Sequence, residues 1–193
     1  MKNVHIFTEG GSVYGYGHIS RCCALYDEFE RRGYVCTFYI AGDFNSLKDY
    51  LCKSIEWRNL NALTKLNISN EIIVADSYHA NEDIYGYMAQ ESSYTLFIDD
   101  EMRINYPAPC TVLNGSLFAE NIPYPSFKDV KYLLGTSFTL LRSAFQSYNV
   151  SDYKRKGVLI TMGGSDVANI TPLLLNTLQR KIPDLCWLFR DLP

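Results

Sequence analysis

Val4-His5-Ile6-Phe7-Thr8, then Glu9-Gly10-Gly11-Ser12-Val13-Tyr14-Gly15-Tyr16-Gly17-His18, then Ile19 to Arg32: these three consecutive stretches decide the fold. The first is an apolar run of strand length. The last carries Cys22, Leu25, Tyr26 and Phe29 on one face, at spacings of three and four, which predicts an amphipathic helix. Gly33, after a basic last turn, is where such a helix ends. A strand joined to a helix by a glycine-rich loop is the opening of an α/β unit. Such a loop lies at the carboxyl end of its strand, where α/β sheets bind ligands. Its exit is a helix N-terminus, whose backbone N–H groups and dipole favour an anionic group.

The same alternation continues. Val35 to Ile40 reads as a second strand, and Gly42-Asp43 as a turn. Ser46 to Cys52 reads as helical. Ile72 to Ala75 and Tyr94 to Ile98 are apolar strands on either side of a helix over Asn81 to Glu91. Val112-Leu113 and Tyr132 to Leu134 are shorter strands among proline-rich loops. Strands apolar on both faces, separated by helices, predict a Rossmann-like parallel sheet in an α/β fold.

A polar stretch from Tyr148 to Gly157 breaks this rhythm, and a new unit follows: strand Val158 to Met162, loop Gly163-Gly164-Ser165-Asp166, helix Val167 to Arg180 and strand Leu185 to Phe189. A boundary near residue 150 divides the chain into 1–150 and 151–193. The second unit is short for an independent α/β domain. It is expected either to pack on the first or to be the start of a domain that is cut short.

Composition narrows the class. The chain has 193 residues, 47% of them hydrophobic, and a formal net charge of -3. That is enough for a packed core, and it lacks the basic balance of a nucleic-acid binder. No apolar run is long enough to span a bilayer, and the N-terminus reads as a strand rather than a signal peptide. The six cysteines form neither a CxxC pair nor a metal-ligand spacing with histidine. They are expected to be reduced, mostly buried thiols in a cytoplasmic protein rather than a disulfide scaffold.

The glycine loop is not the dinucleotide fingerprint, because Ser20 stands where a third Gly or Ala belongs. His18 is the sharper residue. A helix dipole disfavours imidazolium at that position, and a neutral imidazole can take a proton from water as a general base. The plainer alternative is a histidine that caps or packs against the loop. His5 alternates within the first strand and is expected to be structural, and His79 to lie on a rim. Asp76 and Tyr78 follow one strand, and Asp99 and Asp100 another. A parallel sheet brings these ends to the same edge as His18. Each acid is expected to orient His18, bind a ligand's hydroxyls or cap a turn. Asn114-Gly115 is a turn signal. Arg142 is either an anion ligand or a surface charge. The Gly163–Asp166 loop is suited to cradle a diphosphate.

The ordered set Gly15-x-Gly17-His18-x-x-Arg21, Asp76-x-Tyr78, Asp99-Asp100, Leu113-Asn114, Gly135, Leu141-Arg142-x-x-Phe145 and Gly163-Gly164-Ser165-Asp166-x-x-Asn169 resembles the UDP-2,4-diacetamido-2,4,6-trideoxy-β-L-altropyranose hydrolases of pseudaminic acid biosynthesis. That family is related to the lipid-linked N-acetylglucosaminyl transferase of peptidoglycan synthesis. The resemblance implies a GT-B-like fold of two Rossmann-like domains. It implies His18 as the base that activates water, with attack at the anomeric carbon, inversion and release of UDP. It implies no metal or other cofactor and a UDP-linked diacetamido sugar as substrate. Gly15, Gly17, Arg21, Asp76, Tyr78, Asp100 and Asn114 would handle the sugar side, and Gly163, Gly164 and Ser165 the UDP. Family members extend past residue 193 with further UDP contacts, so the resemblance implies an incomplete second domain. A glycosyltransferase on the same scaffold and a non-catalytic sugar-binding module are the alternatives. The first needs an acceptor and often a membrane-facing patch, and the first-domain loops show no basic–apolar cluster.

Overall fold

The computed structural model describes residues 2–42, 47, 49–145, 158–162, 166, 168–178, 181 and 185–187. In chain order the elements are β1 (Asn3–Glu9), α1 (Gly17–Arg31), β2 (Val35–Ala41), β3 (Cys52–Ser54), α2 (Leu60–Leu63), β4 (Ile72–Asp76), α3 (Glu82–Glu91), β5 (Tyr94–Ile98), β6 (Cys110–Asn114) and β7 (Val130–Leu134). Then come β8 (Val158–Ile160), α4 (Thr171–Leu178) and β9 (Leu185–Trp187).

Seven strands form one sheet in the order β3-β2-β1-β4-β5-β6-β7, and every pairing is parallel. This is the expected α/β, Rossmann-like arrangement. The strand order reverses between β1 and β4, the kind of switch point near which such sheets take ligands. Strands β8 and β9 form a separate parallel pair.

Both faces of the sheet are buried, as its apolar strands require. Alternate residues go to opposite faces. Val4, Ile6, Phe38, Ile40 and Val74 pack under α1 against Ile19, Cys22, Cys23 and Tyr26. Phe7, Ile73, Ala75 and Phe97 pack on the other face with Trp57, Ile84, Tyr85 and Met88. Each such large side chain contributes about 1.5–3 kcal/mol by leaving water. Trp57 is fully buried and its indole N–H donates to the Thr8 carbonyl at 2.8 Å, pinning the end of β1.

Two glycines shape the path of the chain around β2, Gly33 before it and Gly42 after it at the site edge. Gly33 ends α1 at φ +84. Gly42 sits at φ +119, and a Cβ there would stand 2.1 Å from the Gly10 carbonyl oxygen. Only glycine lets the chain leaving β2 pass so close to the loop leaving β1.

Several elements differ from the sequence expectation. Ser46 to Cys52 is not a helix: its described part is coil and turn, and Cys52 opens strand β3, paired with β2. The helix expected from Val167 begins at Thr171, because Ala168, Asn169 and Ile170 are not helical and Asn169 has φ +50. Asp166 accepts hydrogen bonds from the Ile170 and Thr171 N–H groups ahead of that helix. Strand β8 stops at Ile160 rather than Met162. The short helix α2 was not anticipated.

Candidate active site

Thr8 pairs with Asp76, and Asp76 with Ile98, so the ends of β1, β4 and β5 come level at the carboxyl edge of the sheet. His18 lies in the first turn of α1, directly above this edge, and is 7% exposed. Its Nδ1 stands 2.7 Å from Asp76 Oδ1. A carboxylate oxygen only accepts, so Asp76 selects the Nδ1–H tautomer over the Nε2–H one, with Arg21 Nη2 3.2 Å from the same nitrogen. In that tautomer Nε2 carries the lone pair.

Arg21, one helical turn on, bridges two carboxylates. Its Nε and Nη2 donate to Asp76 at 2.6 Å each, and Nη1 donates to both oxygens of Asp100 at 2.8 Å. Burial works against the Arg21 charge, but the Asp76 and Asp100 carboxylates outweigh it and hold the guanidinium more firmly protonated than usual. The Asp76 carboxylate is 1% exposed, so this pairing is what allows its charge to be buried. Burial likewise pushes the Asp100 carboxyl up, and hydrogen bonds from Tyr78 and the Arg21 charge more than offset it, leaving it below the usual range. Tyr78 donates to Asp100 at 2.6 Å, and its ring meets the His18 ring edge-on at 4.5 Å. Burial and the Asp100 charge push the Tyr78 hydroxyl up to about 12, so it stays a donor at neutral pH.

The structure thus brings His18, Arg21, Asp76, Tyr78 and Asp100 into one connected cluster. Gly15 and Gly17 lie beside it in the loop. Gly15 has φ +72 and closes a tight hairpin with Gly11, while a Cβ on Gly17 would meet nothing within 4 Å. The N-cap position of α1, Tyr16, supplies no side-chain acceptor, and the first turn carries no acid. Asn114 is apart from the cluster. It is fully buried, its amide donates to Tyr124, and its Oδ1 accepts from the Ser116 N–H. Asp99 caps a turn, accepting from the Met102 N–H at 2.7 Å and from Tyr124. Arg142 is exposed in coil. Gly163, Gly164 and Ser165 lie outside the described residues. His5 is buried against Tyr39, and His79 is a half-exposed rim residue held by Glu9.

Glu9 was not singled out by sequence reasoning. It is fully buried at the end of β1 and collects donors from Ser77, Tyr78 and Arg58. A carboxylate closing an apolar strand run was the available signal.

A hollow of about 190 Å³ opens beside Arg21 and Asp100, with Ile98, Leu113 and Leu140 as an apolar floor and Gly115, Ser116 and Thr139 at its polar side. A larger hollow of about 400 Å³ lies at the opposite edge, between Tyr94, Pro109 and Lys131. The smaller one is the better ligand candidate, because parallel sheets take ligands at their carboxyl edge and it adjoins the ionised cluster. The loops after β6 and β7 expose Leu117, Phe118, Phe138 and Leu141, an apolar rim that the sequence did not suggest. Cys22, Cys23, Cys36, Cys52 and Cys110 are free thiols, as expected. Among the described residues no group of three His, Cys, Asp or Glu side chains is arranged to hold a metal, and no helix is long and apolar enough to cross a membrane.

With this geometry in hand, two curated proteins compare with the chain. It is 25% identical over 154 residues to a Helicobacter pylori protein named pseudaminic acid cytidylyltransferase and UDP-2,4-diacetamido-2,4,6-trideoxy-beta-L-altropyranose hydrolase. It is 24% identical over 196 residues to an uncharacterized protein of Methanocaldococcus jannaschii. The relationship is distant. The matches cover 79% and 94% of this chain but only 27% and 40% of those relatives. No family model matches the chain.

Proposed function

We propose that this chain is the catalytic part of a cytoplasmic nucleotide-sugar hydrolase that releases UDP from UDP-2,4-diacetamido-2,4,6-trideoxy-β-L-altropyranose on the route to pseudaminic acid. The observation that carries this reading is the His18–Asp76 pair at the sheet's switch point, in a chain distantly related to a protein with that hydrolase in its name.

Asp76 holds the Nδ1 proton and leaves Nε2 to receive one. A water molecule over Nε2 gives it a proton while its oxygen bonds to the anomeric carbon. The bond from that carbon to the diphosphate oxygen breaks, its electron pair leaves with UDP, and the anomeric configuration inverts. Asp76 stabilises the imidazolium that forms, and Arg21 holds the carboxylate in place through two hydrogen bonds. The uncapped N-terminus of α1 suits the departing negative charge. The apolar floor of Ile98, Leu113 and Leu140 suits the methyl groups of a deoxy, acetamido sugar. On this reading residues 1–150 form the sugar-handling domain of a GT-B-like enzyme. Residues 151–193 then belong to its nucleotide side, with Gly163, Gly164 and Ser165 beside the diphosphate.

The test is hydrolysis of the UDP-sugar in ¹⁸O-labelled water. The proposal expects label in the sugar and none in UDP, with the opposite anomer formed first. Label in UDP, or no UDP release, overturns it. The exposed Leu117, Phe118, Phe138 and Leu141 favour one other reading, a transferase with an apolar acceptor docked on that rim. An acceptor that competes with water for the sugar would support that reading.

A further inference from the structure

We propose that Glu9 is a positioning residue of this site: its buried carboxylate fixes the turn over residues 77–80 and so sets the Tyr78 ring edge-on against His18. Glu9 is the last residue of β1, and its side chain is 1% exposed. Oε2 accepts from the Ser77 hydroxyl at 2.6 Å and from Arg58 Nη1 at 3.1 Å. Oε1 accepts from the Tyr78 N–H at 2.8 Å and lies 2.8 Å from His79 Nδ1. The Ser77 Oγ in turn accepts from the N–H groups of His79 and Ala80 at 2.9 and 3.0 Å. Four successive residues therefore hang, directly or through one hydroxyl, on a carboxylate nearly seventy positions away in the chain.

A buried carboxylate is costly unless its lone pairs are filled. Burial pushes the Glu9 carboxyl up, but the Ser77, His79 and Tyr78 donors outweigh it and hold it below the usual range. The arrangement is thus a stable anion with all its capacity committed to one turn and to Arg58. The consequence lies with Tyr78. The residue is 48% exposed, so packing alone does not fix it. Two contacts do: the Asp100 carboxylate at the hydroxyl and the Glu9 carboxylate at the backbone N–H. Between these two anchors the ring meets His18 at 82°. Glu9 itself touches no reacting atom in this account and acts through Tyr78.

The inference deepens the hydrolase reading, but its structural half can be measured without turnover. Glu9→Gln keeps size and one acceptor while putting an amide donor against the donors that surround it. The probe is the His18 ring-proton resonance, with Tyr78→Leu as reference. Glu9→Gln should shift it in the same direction as Tyr78→Leu, with the methyl resonances of Leu63 and Ile84 unmoved. In the Tyr78→Leu background, Glu9→Gln should add almost nothing. A His18 resonance unmoved by Glu9→Gln, or moved equally in both backgrounds, overturns the proposal. Should Glu9→Gln fail to fold, Ser77→Ala removes one arm of the clamp and is read in the same way. In the UDP-release assay Glu9→Gln should lower kcat about tenfold at nearly constant KM, again only when Tyr78 is present. A wild-type protein that releases no UDP sinks the hydrolase reading alone and leaves the His18 measurement standing.

Discussion

His18 Nδ1 lies 2.7 Å from Asp76 Oδ1, and the same carboxylate oxygen also accepts from Arg21 Nη2 at 2.6 Å. The imidazole is thereby held in one tautomer by an anion whose own charge is compensated. His18→Ala should lower kcat for UDP release by roughly 10²–10⁴, the range for losing a general base. Asp76→Asn can offer its amide N–H to Nδ1 and so favour the tautomer that protonates Nε2. It should lower kcat by a similar factor with a smaller change in KM. Steady-state kinetics on the two variants checks both.

Arg21 spans Asp76 and Asp100 with a planar fork that lysine cannot reproduce. Arg21→Leu strands the buried Asp76 carboxylate and should cost roughly 3 kcal/mol or more of stability. Urea unfolding of the variant beside the wild type measures it. Arg21→Lys should fall between the two.

Acid sensitivity follows from Asp100. Its folded-state value is depressed, so the stability it contributes is fully present above the ordinary carboxylate range, about 4. That stability is lost as pH falls through the depressed folded value. Unfolding midpoints taken between pH 7 and pH 3 should therefore drop for the wild type, and drop less steeply for Asp100→Asn.

Two glycines of the site edge should behave oppositely. Gly42→Ala forces a Cβ toward the Gly10 carbonyl at positive φ and should cost roughly 1–3 kcal/mol from the backbone conformation alone. Gly17→Ala meets open space and a normal φ, so thermal unfolding should be unchanged or slightly later. Any rise in KM for Gly17→Ala then reports ligand approaching that backbone.

The sheet and the place of its loops could be read from residues 4 to 98 because the signals are local. Apolar runs such as Ile72–Ala75 and the three-and-four spacing of Cys22, Tyr26 and Phe29 each depend on near neighbours in the chain. Strand β3 escaped that reading. Cys52-Lys53-Ser54 is short and largely exposed, and it is a strand only because the edge of β2 offers it partners.

Asp76, Asp99 and Asp100 are chemically alike on paper, one closing β4 and two following β5. Sheet order separates their roles. Asp76 meets His18 and Arg21, Asp100 meets Arg21 and Tyr78, and Asp99 turns inward to cap its own loop. Glu9 likewise finds its donors only when β4 lies down beside β1. The strength of a buried charge depends on what stands within about 3 Å of it, and those neighbours come from distant parts of the chain. Local patterning was therefore sufficient for the architecture. The ionised cluster, and which acid serves which partner, came into being only with the folding of the sheet.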